Sequence, residues 1–289
     1  MGAFLSRLLG DAFYKVNRRY YWYQLWPPFN FLNLIAIRAN LRRRNLYDTN
    51  VKIPVAPPAN QCGVDCARYR TLDGSHNDPE KPWMGMTATR FARNFPLDRV
   101  MPDTDRMFTP SPREISRRLM TRDAFKPATS LNLLAAAWLQ FQVHDWFSHD
   151  NTKDLKPISL QEGDDWTPNP MQVTSTLWDA VPGPAEPKRP PAALCQQSHW
   201  WDASQLYGSD RKRQDALRTK QGGKLKLTAD GRLPLDENGV DLTGNNNNWW
   251  IGLSVMHTLF VHEHNAVCDE LAKHYPAWKN PVLDRKSVV

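Results

Sequence analysis

The run from Leu131 to Trp146 constrains the folding of this 289-residue chain more than any other segment. Its alanines and leucines favour helix. In a helix, Gln140 and His144 stand four residues apart and leave the same face one turn from each other. An imidazole in such an apolar stretch can take up and return a proton, and an amide one turn away can hold a small oxygen species against it. Asp145 points to another side of the helix and is free to bind something else. A histidine on an apolar helix also serves as a hydrogen-bonded core residue, so the pair by itself leaves both readings open.

Other helices follow from the same kind of pattern. From Trp249 through Leu271 apolar residues recur at helical spacing, after the turn-like break Asn245-Asn246-Asn247-Asn248. Ser111 as N-cap and Pro112 at the first helical position open a shorter helix, which is expected to run to Thr121 with Arg117, Arg118 and Arg122 outward. Ser130 or Asn132 starts the helix of Gln140 and His144, which should end near Asp150 and Asn151. Twelve tryptophans and 23 prolines point to large irregular connections between helices and away from a regular sheet. Residues 152–197, rich in proline, read as one such connection over the surface. The fold expected is mainly α.

The first 46 residues differ from the rest. Arg18, Arg19, Arg38, Arg42, Arg43 and Arg44 are interleaved with aromatic residues, among them Tyr20, Tyr21, Trp22, Tyr23, Trp26, Phe29 and Phe31, and Pro27-Pro28 splits the stretch in two. Neither half reaches the roughly 20 apolar residues that cross a bilayer. The arm either packs on the outside of the domain or lies in a membrane interface, where aromatics enter the headgroup zone and arginines meet anionic lipid. A net charge of +7 suits an anionic membrane surface or nucleic acid. Nucleic acid is set aside because no zinc-finger, helix-turn-helix or RNA-recognition signature accompanies the charge. Four cysteines without a paired Cys-x-x-Cys pattern read as thiols, a Cys62–Cys66 bridge remaining open. No signal peptide or membrane-spanning segment is read, so the protein is expected in the cytoplasm or at a membrane periphery.

Three ordered segments carry a resemblance. Gln140 four residues before His144, the stretch Ser198 to Ser209, and the stretch Met256 to Leu271 resemble the distal helix, the calcium loop and the following long helix of the peroxidase–cyclooxygenase superfamily. Trp200-Trp201-Asp202, Gly223 to Leu227, Asp230-Gly231 and the Glu263-His264-Asn265-Ala266-Val267-Cys268-Asp269 core narrow the likeness to fatty-acid α-dioxygenases, over roughly residues 70 to 280. The resemblance implies a heme peroxidase-like helical domain of which this chain holds the N-terminal portion. It also implies heme b and calcium as cofactors, and long-chain fatty acid, dioxygen and peroxide as reactants. His144 would be the distal base and Gln140 would orient the peroxide. Asp145, Ser198, Trp200 through its carbonyl, Asp202 and Ser204 would bind calcium. The four loop ligands stand two residues apart, so in an extended loop they share one side.

The pattern also departs from its family. Asn246 stands where animal peroxidases place an arginine near the peroxide, with Arg211 or Arg213 as substitutes. Val143 and Trp249 align with the carboxylates that esterify heme in mammalian peroxidases, so heme is expected without ester links. His257, His262 and His264 are expected to pack or to hydrogen-bond within their helix. The proximal heme histidine, the radical tyrosine and the carboxylate-binding arginine of the family lie beyond the segment matching Trp278 and are missing from this chain. The expected organisation is an arm at 1–46, part of a peroxidase-like domain at 47–283, and a tail at 284–289 that does not belong to the domain. The parent activity implied is heme-dependent oxygenation of fatty acids at the α-carbon, the fragment alone being inactive. The alternatives are a heme peroxidase acting on small reductants and a non-enzymatic calcium-binding fragment.

Overall fold

The computed structural model describes residues 2–45, 69–91, 106–178 and 192–286. Among these the architecture is mainly helical, as the sequence led us to expect. The chain divides into two compact units: Met1–Val51 with Arg90–Met107 and Trp178–Ala192, and Lys52–Thr89 with Phe108–Leu177 and Ala193–Val289.

In the first unit, α1 (Gly2–Val16) and α2 (Phe29–Asn45) pack together across a short 3-10 turn at Trp22–Gln24. A reciprocal amide pair fixes their crossing: Asn17 Nδ2 donates to Asn33 Oδ1 at 2.8 Å and Asn33 Nδ2 donates to Asn17 Oδ1 at 2.6 Å. Asn33 is fully buried, and this exchange satisfies its amide where water cannot. Asn40 donates to the Gly10 carbonyl, and a Cβ at Gly10 would stand 2.9 Å from the Asn40 Oδ1, so a side chain there would have to displace the Asn40 amide. Arg18, Arg19 and Arg38 are exposed, as are Tyr20, Tyr21, Trp22, Tyr23, Trp26, Phe29 and Phe31. No described helix is long and apolar enough to cross a membrane.

The second unit is built on α4 (Leu133–Trp146) and α7 (Ile251–His274), which pack against each other. Asn132 caps α4, its side chain accepting from the Ala135 N–H at 3.3 Å. Ala137 and Phe141 of α4 bury against Leu253 and Met256 of α7, and Phe141 stacks on Phe260 with ring centres 5.0 Å apart. A second core joins Leu206 and Tyr207 of α5 (Ser204–Tyr207), Leu217 of α6 (Arg211–Leu217), Leu225, Leu233 and Val261. His264, fully buried on α7, meets the Tyr207 hydroxyl at 3.1 Å and the Gly223 carbonyl at 3.0 Å. His262, exposed, reaches the Gly231 carbonyl at 2.8 Å, so both histidines hydrogen-bond to segments outside α7 and not simply within their helix. Helix α8 (Asn280–Lys286) carries Asp284, which accepts from Arg218 at 2.6 Å; residues 287–289 of the expected tail lie outside the described residues.

Several expectations are corrected. The connection at 152–197 is not wholly irregular: beyond the two-residue strand β1 (Thr89–Arg90), β2 (Asn151–Ile158) and β3 (Met171–Thr176) form an antiparallel pair with Ile158 opposite Met171. Nearly all of β2 faces solvent, so no alternating apolar pattern announced it, and Pro157 is tolerated because a two-stranded sheet consists only of edges. Helix α4 stops at Trp146, four residues early, because Phe147 turns extended. The helix opened by Pro112 covers Pro112–Ile115 as α3 and then widens into a π-turn at Ser116–Met120, and Ser111 makes no side-chain cap bond. Cys195 and Cys268 are buried and form no disulfide; Cys62 and Cys66 lie outside the described residues.

Candidate functional site

The last two turns of α4 carry Gln140, His144 and Asp145, and the chain on either side of the Asn245–Asn248 turn closes over them. Trp250, the N-cap residue of α7, donates its indole N–H to Gln140 Oε1 at 2.6 Å. The Gln140 amide nitrogen donates in turn to the Asn248 carbonyl at 3.0 Å and lies 3.4 Å from His144 Nε2. With its oxygen taken by the indole, Gln140 must present N–H groups to His144. That arrangement makes His144 Nε2 the lone-pair nitrogen and places the ring proton on Nδ1. Burial pushes the His144 pKa below the ordinary value, while the Asn245 backbone pulls weakly the other way. The imidazole is therefore neutral near pH 7 and able to accept a proton.

Asp145 faces away from Gln140, as its position on the helix requires, and meets the loop at 198–204. Its Oδ1 accepts from the Ser204 N–H at 2.8 Å and from the Ser204 hydroxyl at 3.2 Å. Across the loop, the Ser198 hydroxyl donates to Asp202 Oδ2 at 2.7 Å and lies 3.5 Å from the Trp200 carbonyl. Asp202 Oδ1 accepts from the same Ser204 N–H at 3.1 Å, and Arg70 stands 3.2 Å from Asp202 Oδ2. All five residues expected to bind calcium are thus brought together. The path differs from the extended loop expected: Ala203 takes a left-handed conformation, φ 57°, which turns the chain into α5 and puts Ser204 at the start of that helix. Burial, and after it the neighbouring Asp202, pushes the Asp145 pKa up to about 6.

The buried Asp145 and half-buried Asp202 carboxylates, with two hydroxyls and a carbonyl, form an all-oxygen set of the kind a hard cation prefers, although Arg70 already offsets part of the charge of Asp202. Among the described residues no cluster of three or more His, Cys, Asp and Glu side chains is present, so any metal here depends on the serines and the Trp200 carbonyl. A heme is also compatible with the residues present. The His144–Gln140 pair supplies polar nitrogen groups. Around it the helices leave apolar side chains uncovered: Leu134, Trp138 and Leu139 on α4, and Ile251, Val255 and Leu259 on α7, are each 42–65% exposed.

The family pattern described as Animal haem peroxidase matches residues 69–283, a span that contains both sites. The chain belongs to the animal haem peroxidase family. Within this heme-binding family it is α-dioxygenase-like. It is 32% identical to the alpha-dioxygenase PIOX of Nicotiana tabacum over 97% of this chain and 43% of that protein. The structure of the fatty acid alpha-dioxygenase of Oryza sativa, in a variant with palmitic acid, superposes with a TM-score of 0.80 at 30% identity, covering 98% of this chain and 45% of that one. The Arabidopsis thaliana enzyme gives a TM-score of 0.81 at 28% identity, over 98% and 43%. The chain therefore spans less than half the length of the relatives named above.

Sequence reasoning missed the residues that hold Gln140. Trp250 and Asn248 clamp its amide from 110 and 108 residues away, and an aromatic after an asparagine turn carries no signal of that role. Asn246 makes a structural contact: its amide donates to Asp236 and to the Asp241 carbonyl, both at 2.9 Å. Arg211 is paired on the surface with Asp215 at 3.1 Å. Trp249, aligned with an ester-forming carboxylate of other peroxidases, donates to Asp241 at 2.9 Å.

Proposed function

We propose that the protein to which this chain belongs is an oxidoreductase that oxygenates long-chain fatty acids at the α-carbon, with dioxygen as co-substrate and peroxide as activator. The observation that carries this reading is the clamped pair on α4: an imidazole whose Nε2 carries the lone pair, beside an amide whose orientation is fixed by Trp250 and Asn248. The likeness to rice and Arabidopsis α-dioxygenases supports the substrate class. Heme b, bound without ester links, supplies the redox chemistry when present. His144 Nε2 takes a proton from peroxide and returns it to the departing oxygen, and the Gln140 N–H orients that oxygen. Asp145, Asp202, Ser198, Ser204 and the Trp200 carbonyl would hold calcium, and through these ligands the 198–204 loop would be tied to α4 one residue from His144. The peroxidase-like portion is taken as 47–283 with 284–289 outside it, and this chain alone is taken to be inactive. The aromatic, arginine-bearing hairpin within residues 1–46 makes a peripheral contact with an anionic membrane, from which a fatty acid can be drawn.

The test is peroxide-driven oxidation of ferric heme in the full-length protein, followed by stopped flow. His144→Ala is expected to slow it about 10²- to 10⁴-fold, and Gln140→Ala is expected to cost less, because water can take over part of the amide's role. Wild-type rates in His144→Ala would remove His144 from the chemistry.

A further inference from the structure

Among the buried polar atoms without a hydrogen-bond partner within the protein, three belong to His144 and to two residues that touch Phe141, one turn before it. His144 Nδ1, which carries the ring proton, is one; the others are His257 Nε2 and Gln205 Oε1. His257 and Gln205 are 1% and 2% exposed. Their orientations are fixed by what their other ends do. His257 Nδ1 lies 3.0 Å from the Leu253 carbonyl, one turn back on α7, so it carries the proton and Nε2 is an open acceptor. Gln205 Nε2 donates to the Phe141 carbonyl at 3.2 Å, which leaves Oε1 as a second open acceptor. Phe141 sits one turn before His144 and meets the His257 ring edge-on at 5.1 Å. Gln205 and His257 are thus both held at Phe141, one turn from His144, which brings one donor and two acceptors to the same stretch of α4.

We propose that His257 and Gln205 are positioning residues that hold one ordered water against His144 Nδ1. The water accepts from Nδ1–H and donates one hydrogen to His257 Nε2 and one to Gln205 Oε1. Three hydrogen bonds is the usual number for an internal water, and each removes the cost of an unpaired buried polar group. The consequence is chemical: the bridge locks the ring proton of His144 on Nδ1 and so keeps Nε2 available as the base. A group behind a working imidazole tunes its basicity and orientation in this way at metal-bound histidines too. Burial holds His257 itself neutral, its pKa depressed to about 4, so it remains an acceptor at working pH. The Asn245 backbone at His144 and the Gln205 backbone at His257 are the competing partners for these two rings.

The inference rests on His144 being the proton-accepting base. A structure of the full-length heme protein, at a resolution that shows ordered solvent, is expected to contain a water within hydrogen-bonding distance of all three atoms, and His257→Phe is expected to lack it. A direct bond from Nδ1 to the Asn245 carbonyl, with no water, overturns the proposal. In stopped flow with hydrogen peroxide, His257→Phe at unchanged heme content is expected to react about 10-fold more slowly, the lower end of what such supporting groups contribute. His257→Gln, which keeps an acceptor, is expected to recover most of the rate. If His257→Phe does not fold, Gln205→Met removes the other acceptor and is expected to slow the reaction in the same direction. Wild-type rates in the folded variants, with His144→Ala still impaired, sink the water bridge alone. Wild-type rates in His144→Ala sink the base assignment and the bridge with it.

Discussion

Asp145→Asn separates a metal site from a structural carboxylate. The Asp145 carboxyl has a pKa of about 6 in the fold against an ordinary 3.8, because burial and then Asp202 oppose its charge. The folded state therefore binds this proton more tightly than the unfolded chain, and stability is lost as pH rises from 3.8 to about 6. A shift of this size, at about 1.4 kcal/mol per pKa unit, corresponds to roughly 3 kcal/mol withheld from the fold at neutral pH. Asparagine keeps the oxygen that accepts from Ser204 and cannot ionise. With a chelator present, Asp145→Asn is expected to stabilise the chain by up to about 3 kcal/mol near neutral pH, and by much less near the unperturbed carboxylate pKa. With saturating calcium the sign is expected to reverse, since the variant has lost a charged ligand and with it the stabilisation that binding confers. Urea unfolding followed by tryptophan fluorescence, at both pH values with chelator and with calcium, measures all four cases. An equal destabilisation in every condition would refute the reasoning.

Further expectations concern packing and reactivity. A Cβ at Gly252 would stand 2.2 Å from the Trp250 ring, so Gly252→Ala should push the indole off Gln140 and slow the reaction with peroxide; an unchanged rate counts against the clamp. A Cβ at Gly244 would lie 2.3 Å from the Ser204 carbonyl and 2.5 Å from the Gly208 nitrogen, both backbone atoms that cannot swing away. Gly244→Ala is therefore expected to cost at least about 1–3 kcal/mol in a denaturant melt. Cys195 and Cys268 are fully buried, and burial pushes the Cys195 thiol pKa up, so neither should react with a thiol reagent until the chain unfolds.

How much could be read in advance depended on whether the signal was local. Gln140 and His144 were legible because helical spacing alone puts them on one face, and α7 was legible from its apolar recurrence. The five oxygen donors at Asp145 and 198–204 were legible through the family resemblance, but the left-handed turn at Ala203 that gathers them was not, since alanine does not announce φ of 57°. The β2–β3 pair was missed because solvent-exposed strands carry no alternation and their prolines look like loop. Trp250, Asn248, Gln205 and His257 act across long separations, through the particular atoms they present to α4. No window of sequence contains both members of such a pair.

The clamp on Gln140 also sets an order of events during synthesis. Its indole donor lies 110 residues after the amide it holds, and the Ser204 that meets Asp145 lies 59 residues after it. At roughly 5–20 residues per second of translation, α4 emerges about 6 to 20 s before Trp250 does. Throughout that interval the helix can form, yet its glutamine is free to rotate and its apolar face has no α7 to pack on. Joining contacts so distant in the chain is intrinsically slow. The Asp145 loop can dock first and the Gln140 clamp only afterwards, so the oxygen cluster around Asp145 can form in the nascent chain before the Gln140–His144 pair is fixed.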